Sequence, residues 1–112
     1  MKVVINTCYG GFGLSDKAIE EYGKRSGLNM RSYEIDGRIV WFNNNQEPEN
    51  IIDDYMIPRN DPNLVSVVED LGEESWGVYS ELKVVEIPDD VSWEILDYDG
   101  VEMVSEVRRF WL

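Results

Sequence analysis

A chain of 112 residues with 23 acidic and 10 basic side chains, a formal charge of -13, repels a nucleic-acid backbone yet is long enough for one domain with a real core. Cys8 is its single cysteine and histidine is missing, which removes intrachain disulfides, ordinary zinc sites and every triad or dyad that needs an imidazole. No apolar run is long enough to span a bilayer and the start lacks a secretory pattern, so a soluble cytoplasmic protein is expected.

The charge is uneven. Residues 1 to 40 hold six Lys and Arg against five Asp and Glu, whereas residues 41 to 112 hold 18 acidic residues and four basic ones, Arg59, Lys83, Arg108 and Arg109. Cations in the second part therefore stand out as candidates for binding an anion.

Val3, Val4 and Ile5 predict a short buried strand, and Ser15 with Asp16 marks a helix start. Between them lie Cys8-Tyr9-Gly10-Gly11-Phe12-Gly13. Such a strand, glycine loop and helix start exposes backbone N–H groups and lets a ligand approach closely, which suits phosphate or another anion. The loop lacks the Lys-Ser/Thr pair of a P-loop, and Asp16 stands where Gly-x-Gly-x-x-Gly needs its last glycine. The competing reading is a tight turn and nothing more. Tyr9 and Phe12 flank the glycines in a segment too short to bury both rings, and aromatic faces beside anion-binding amides suit a nucleotide base.

The first helix is predicted from Asp16 to about Ser26, with Ala18, Ile19 and Tyr22 inward and Gly27 as its stop. Arg31–Ile35 and Arg38–Phe42 form a hairpin about Asp36-Gly37, with Trp41 and Phe42 on opposite faces, one of them in the core. Residues 43–58 read as a surface loop, mobile or functional, in which Tyr55-Met56-Ile57 can fold back over a site. Asp61-Pro62 opens a second helix with Leu64, Val65, Val68 and Leu71 inward, ending at Gly72. Arg59 just precedes it, either as a second anion site or as a surface cation paired with Asp61 or a nearby Glu. Leu82–Ile87 predicts a strand, and Trp93–Tyr98 with Val101–Val107 a hairpin about Asp99-Gly100. On that hairpin Glu94, Asp97, Glu102 and Glu106 read as a solvated acidic surface rather than a metal site. The end, Arg108-Arg109-Phe110-Trp111-Leu112, either completes the core or reaches a subunit interface. The fold expected is α+β, one domain over residues 1–112, mainly antiparallel β-sheet with two short helices packed on it.

The stretch Lys2-Val3-Val4-Ile5-Asn6-x-Cys8-Tyr9-Gly10-Gly11-Phe12-Gly13-Leu14-Ser15 resembles small phage and prophage proteins, as do Arg59-x-Asp61-Pro62-x-Leu64-Val65 and Leu82-Lys83-Val84-Val85-Glu86-Ile87-Pro88-Asp89-Asp90-Val91-x-Trp93. Among these the chain is similar to the Thoeris anti-defence sponges, which sequester a cyclic ADP-ribose signal made by bacterial TIR-domain proteins. The resemblance implies a phage-encoded homo-oligomer that binds the intact nucleotide and does not cleave it. The chain departs from the pattern at Trp76 and Val78, and in its Arg-Arg-Phe-Trp end.

The candidate ligand-binding residues are Cys8, Tyr9, Gly10, Gly11, Phe12, Gly13, Arg59, Tyr79, Arg108 and Arg109, with amides and guanidinium groups for phosphate and Tyr9, Phe12 or Tyr79 for adenine. No metal, cofactor, nucleic acid or membrane partner is expected. The alternative is an acidic inhibitor that imitates DNA or binds a host defence protein through its carboxylates. An enzyme is the third reading, disfavoured because Cys8 has no histidine to act as its base.

Overall fold

Local chemistry and long-range pairing divide the work of folding. A computed structural model of the chain describes residues 1–107. The strands are β1 (Lys2–Asn6), β2 (Met30–Ile35), β3 (Arg38–Asn43), β4 (Ile51–Ile52), β5 (Leu82–Glu86), β6 (Trp93–Tyr98) and β7 (Val101–Glu106), and the helices α1 (Asp16–Arg25) and α2 (Pro62–Leu71). The class is α+β, and every strand pair is antiparallel. The strands form three small sheets, β1-β5, β2-β3-β4 and β6-β7.

Both helices start where a cap satisfies their first amides. Ser15 Oγ accepts from the Ala18 N–H at 3.1 Å, and Asp61 Oδ1 accepts from Asn63 at 2.8 Å with Pro62 at the first helical position. Leu64, Val65 and Val68 from α2 meet Ala18 and Leu14 around Val4 of β1, with Ile57 and Leu82 completing the core. The Tyr22 hydroxyl donates to Asp61 Oδ2 at 2.9 Å and ties α1 to the α2 cap. Burial, and then that bond, raise the Tyr22 pKa above its usual 10.0. A phenol raised on folding stabilises the protein below its unfolded pKa, and the benefit disappears as pH rises through the folded value. Thermal melts should thus show the difference between the native chain and Tyr22→Phe shrinking as pH passes upward through 10, and a pH-independent difference would refute this account.

Both hairpins turn on Asp-Gly pairs with positive φ at each residue, 51° and 77° at Asp36-Gly37 and 51° and 93° at Asp99-Gly100. That is the type I′ geometry the sequence predicts. Phe42 is the inward ring and lies edge-on to Tyr33, while Trp41 is half-buried and donates from Nε1 to Asp16 Oδ1 at 3.1 Å. The segment read as a loop is more ordered than expected. Ile51 and Ile52 pair with Phe42 and Trp41, and short 3-10 turns flank them at Pro48–Asn50 and Asp54–Met56.

Among the described residues β1 has β5 on one edge and no strand on the other. Side chains and a loop carbonyl close that second edge. The Val4 N–H donates to Arg59 O at 2.8 Å, the Arg59 guanidinium donates to Val4 O at 3.3 Å, and the Asn6 N–H donates to Glu102 Oε1 at 2.8 Å. Buried backbone groups need partners wherever they come from. No helix among the described residues is long and apolar enough to cross a membrane.

Candidate functional site

The glycine loop joins β1 to α1 and is held on three sides. Asn6 anchors it from within: fully buried, its Nδ2 donates to Cys8 O and to Gly100 O, both at 2.7 Å, and its Oδ1 accepts from the Glu81 N–H at 2.9 Å. Gly13 O accepts from the Gly77 N–H at 3.1 Å and from Ser80 Oγ at 2.7 Å. Glycine is required where backbones approach this closely. A Cβ on Gly10 would lie 1.8 Å from Tyr79 O, and one on Gly100 would lie 2.6 Å from Tyr9 O and 2.7 Å from Gly11 N. The loop therefore touches both the 77–80 turn and the tip of the β6-β7 hairpin.

The helix start beyond the loop already has acceptors from the chain itself. Leu14 N–H donates to Asp54 Oδ2 at 3.0 Å, and Ser15 N–H donates to Ser75 O at 3.0 Å. The Asp54 carboxylate thus stands where the sequence leaves room for an external anion.

Arg59 is turned inward. Its Nη1 and Nη2 donate to Glu102 Oε1 and Oε2 at 2.6 and 2.9 Å, and its guanidinium lies 3.5 Å from the centroid of Phe12. The guanidinium is balanced by a carboxylate from β7 and not by Asp61, which caps α2. Two sequence expectations are corrected here. Glu102 is buried at 8% exposure instead of belonging to a solvated acidic surface, because Arg59 and the Asn6 amide draw it inward. Phe12 is half-buried against the core beneath that guanidinium, so it is not the freely exposed ring expected from its short segment.

The remaining candidates separate clearly. Tyr9 and Tyr79 are each 76% exposed, and Cys8, half-buried, points its Sγ at Tyr79 O at 3.1 Å. Gly10, Gly11 and Gly13 form the loop between them. Arg108 and Arg109 lie outside the described residues.

Sequence reasoning missed the concavity beside Tyr9. A cavity of about 400 Å³ is lined by Tyr9, Leu96, Asp97, Tyr98, Val101, Glu102 and Met103. Its size falls within the roughly 300–1,000 Å³ of ligand pockets. Leu96 and Tyr98 stand opposite Met103 and Val101 in the hairpin register, so the four share one face. The alternation of apolar residues in Leu96-x-Tyr98 and Val101-x-Met103 carries this face in the sequence, although attention there goes to the carboxylates between them. Tyr98 is also 76% exposed, and with Tyr9 it gives the cavity two accessible phenol rings. Among the described residues no group of three or more Asp, Glu or Cys side chains is arranged to hold a metal ion.

No family model matches the chain, and comparisons with curated proteins and with solved structures found no match.

Proposed function

We propose that this chain is a phage-encoded, non-catalytic binding protein that sequesters a cyclic ADP-ribose-type signalling nucleotide in the bacterial host cytoplasm and works as a homo-oligomer. The observation that carries the reading is the cavity between Tyr9 and the β6-β7 hairpin, walled by Leu96, Val101 and Met103 with Asp97 and Glu102 also lining it, and bordered by two exposed phenols beside a glycine loop. A purine needs aromatic or apolar faces to stack on, and glycine lets backbone amides reach its phosphates. Arg59 serves the frame through Glu102, which leaves Arg108 and Arg109 as the candidate cations for phosphate.

The commitment of Arg59 to Glu102 also favours a second reading, an acidic protein-binding inhibitor, because it leaves Asp97 without a neighbouring cation from that source at the cavity wall. Thermal unfolding with a panel of cyclic and linear nucleotides separates the two. A ligand at a hundred times its Kd adds about 2.7 kcal/mol of apparent stability. The sponge reading expects a cyclic ADP-ribose species to raise the transition and to be released intact on heating. No shift with any nucleotide would transfer support to the inhibitor. Tyr9→Ala and Tyr98→Ala should each weaken nucleotide binding by about 1–3 kcal/mol in calorimetry, the usual value of a base stacked on an aromatic ring. Unchanged affinity in both would remove the cavity from the site.

A further inference from the structure

In a chain this acidic, cations without partners are informative. Lys2, Lys17, Lys24, Arg25 and Arg59 each sit in an ion pair, whereas Arg31, Arg38 and Lys83 pair with no carboxylate among the described residues. Arg31 and Arg38 share the β2-β3 hairpin, where Arg31 stands opposite Phe42 and Arg38 opposite Ile35. Side-chain alternation puts Arg31, Tyr33, Ile35 and Arg38 on one face and Ser32 and Glu34 on the other.

The outer edge of this hairpin is open. Among the described residues β2 has β3 on one side and no strand on the other. Just beyond the Met30–Asn43 pair, the Asn44 N–H donates to Asn29 O at 2.8 Å. Hydrogen-bonded pairs alternate along an antiparallel ladder with pairs whose main-chain groups face away. Arg31, Tyr33 and Ile35 therefore exchange bonds with β3, while Met30, Ser32 and Glu34 turn their N–H and C=O groups outward. Arg31, Ser32, Glu34 and Ile35 are all exposed.

We propose that β2 accepts an extended acidic segment of another protein as an added strand, bonded through its main chain to Ser32 and Glu34, with carboxylates beside Arg31 and Arg38. Strand addition takes affinity from the main chain and specificity from alternate side chains. Arg31 meets the guest residue directly opposite it, Tyr33 offers an apolar neighbour, and Arg38 adds positive charge behind Ile35. On the other face Glu34 repels a carboxylate, so the guest must alternate acidic and neutral residues. Charges on an edge strand also discourage pairing with uncharged apolar strands, which narrows the guest further. None of these residues lines the cavity beside Tyr9, so the edge is independent of the nucleotide reading.

Hydrogen exchange of the full chain tests this with the peptide acetyl-Thr-Glu-Thr-Val-Thr-Glu-Thr-amide, whose pattern is the same in either direction and suits a parallel or an antiparallel strand. At millimolar peptide the Ser32 and Glu34 amides should exchange roughly tenfold more slowly, as outward N–H groups do once bonded. The peptide with Lys at both Glu positions should not slow them, and Arg31→Glu with Arg38→Glu should invert that preference. Ser32→Pro removes an outward N–H without touching the β2-β3 ladder, and it should abolish the protection of Glu34. No slowing with the acidic peptide, equal slowing with both peptides, or slowing without peptide that grows with protein concentration, which would seat a second copy on the edge, would each overturn the proposal.

Discussion

Replacing Glu102 by Leu is expected to lower stability by about 3–5 kcal/mol, the range for breaking one side of a buried ion pair. The Glu102 side chain is 5% exposed and that of Arg59 19%, so neither is well solvated. Glu102 accepts from both terminal nitrogens of Arg59 and from the Asn6 N–H. Leucine would leave a guanidinium without its counter-charge and a strand amide without its acceptor, and these costs exceed anything the added methyl groups return. Glu102→Gln keeps the shape and one carbonyl oxygen and should cost less. The double variant Arg59→Met with Glu102→Leu should recover much of the loss, since removing both charges removes the desolvation problem. It should not recover all of it, because the Asn6 N–H and Val4 O still lack those partners, an unmet group costing about 1–3 kcal/mol. Urea denaturation measures each variant. A loss below about 1 kcal/mol for Glu102→Leu would mean that the pair behaves like an exposed surface bridge and does not hold β7 to β1.

Which parts of this frame the sequence disclosed follows from distance along the chain. Both helix starts and both hairpin turns were legible because their causes are local: Ser15 caps Ala18, Asp61-Pro62 opens α2, and each Asp-Gly pair accepts positive φ. The pairing of β1 with β5 was not, since the partners Asn6 and Leu82 are separated in the chain by both helices and the first hairpin. Glu102 illustrates the limit most clearly. Its alternation with other acidic residues suggests a wet surface, and its burial depends on Arg59, 43 positions away. The same separation conceals the cavity, which needs Tyr9 from the first loop and Leu96, Tyr98 and Met103 from the last hairpin. The loop glycines were read as admitting a ligand and Gly100 as a turn residue, whereas the groups that approach Gly10 and Gly100 are Tyr79 and Tyr9, from distant segments of the chain. Residue type reveals the need for a partner, and topology supplies it.

Asn6→Ala should be comparably damaging, with an expected loss of about 3 kcal/mol, since it leaves several partly buried polar groups unpaired at about 1–3 kcal/mol each before any local relaxation. Asn6 is wholly buried and its amide connects separate segments: Cys8 O in the glycine loop, Gly100 O at the hairpin tip and the Glu81 N–H ahead of β5. Asn6→Asp separates geometry from charge. It keeps the acceptor for Glu81 but turns a carboxylate oxygen toward two carbonyl oxygens, so at neutral pH it should be at least as destabilising as alanine. Combining Asn6→Ala with Glu102→Leu should cost less than the sum of the single losses, because the first already loosens the hairpin whose attachment the second removes. Full additivity would show that the two residues hold independent parts of the molecule. Coupling instead places Tyr9 and Tyr98 under common control, so an Asn6→Ala protein that still folds should bind nucleotide more weakly, with both rings unaltered but no longer held across one cavity.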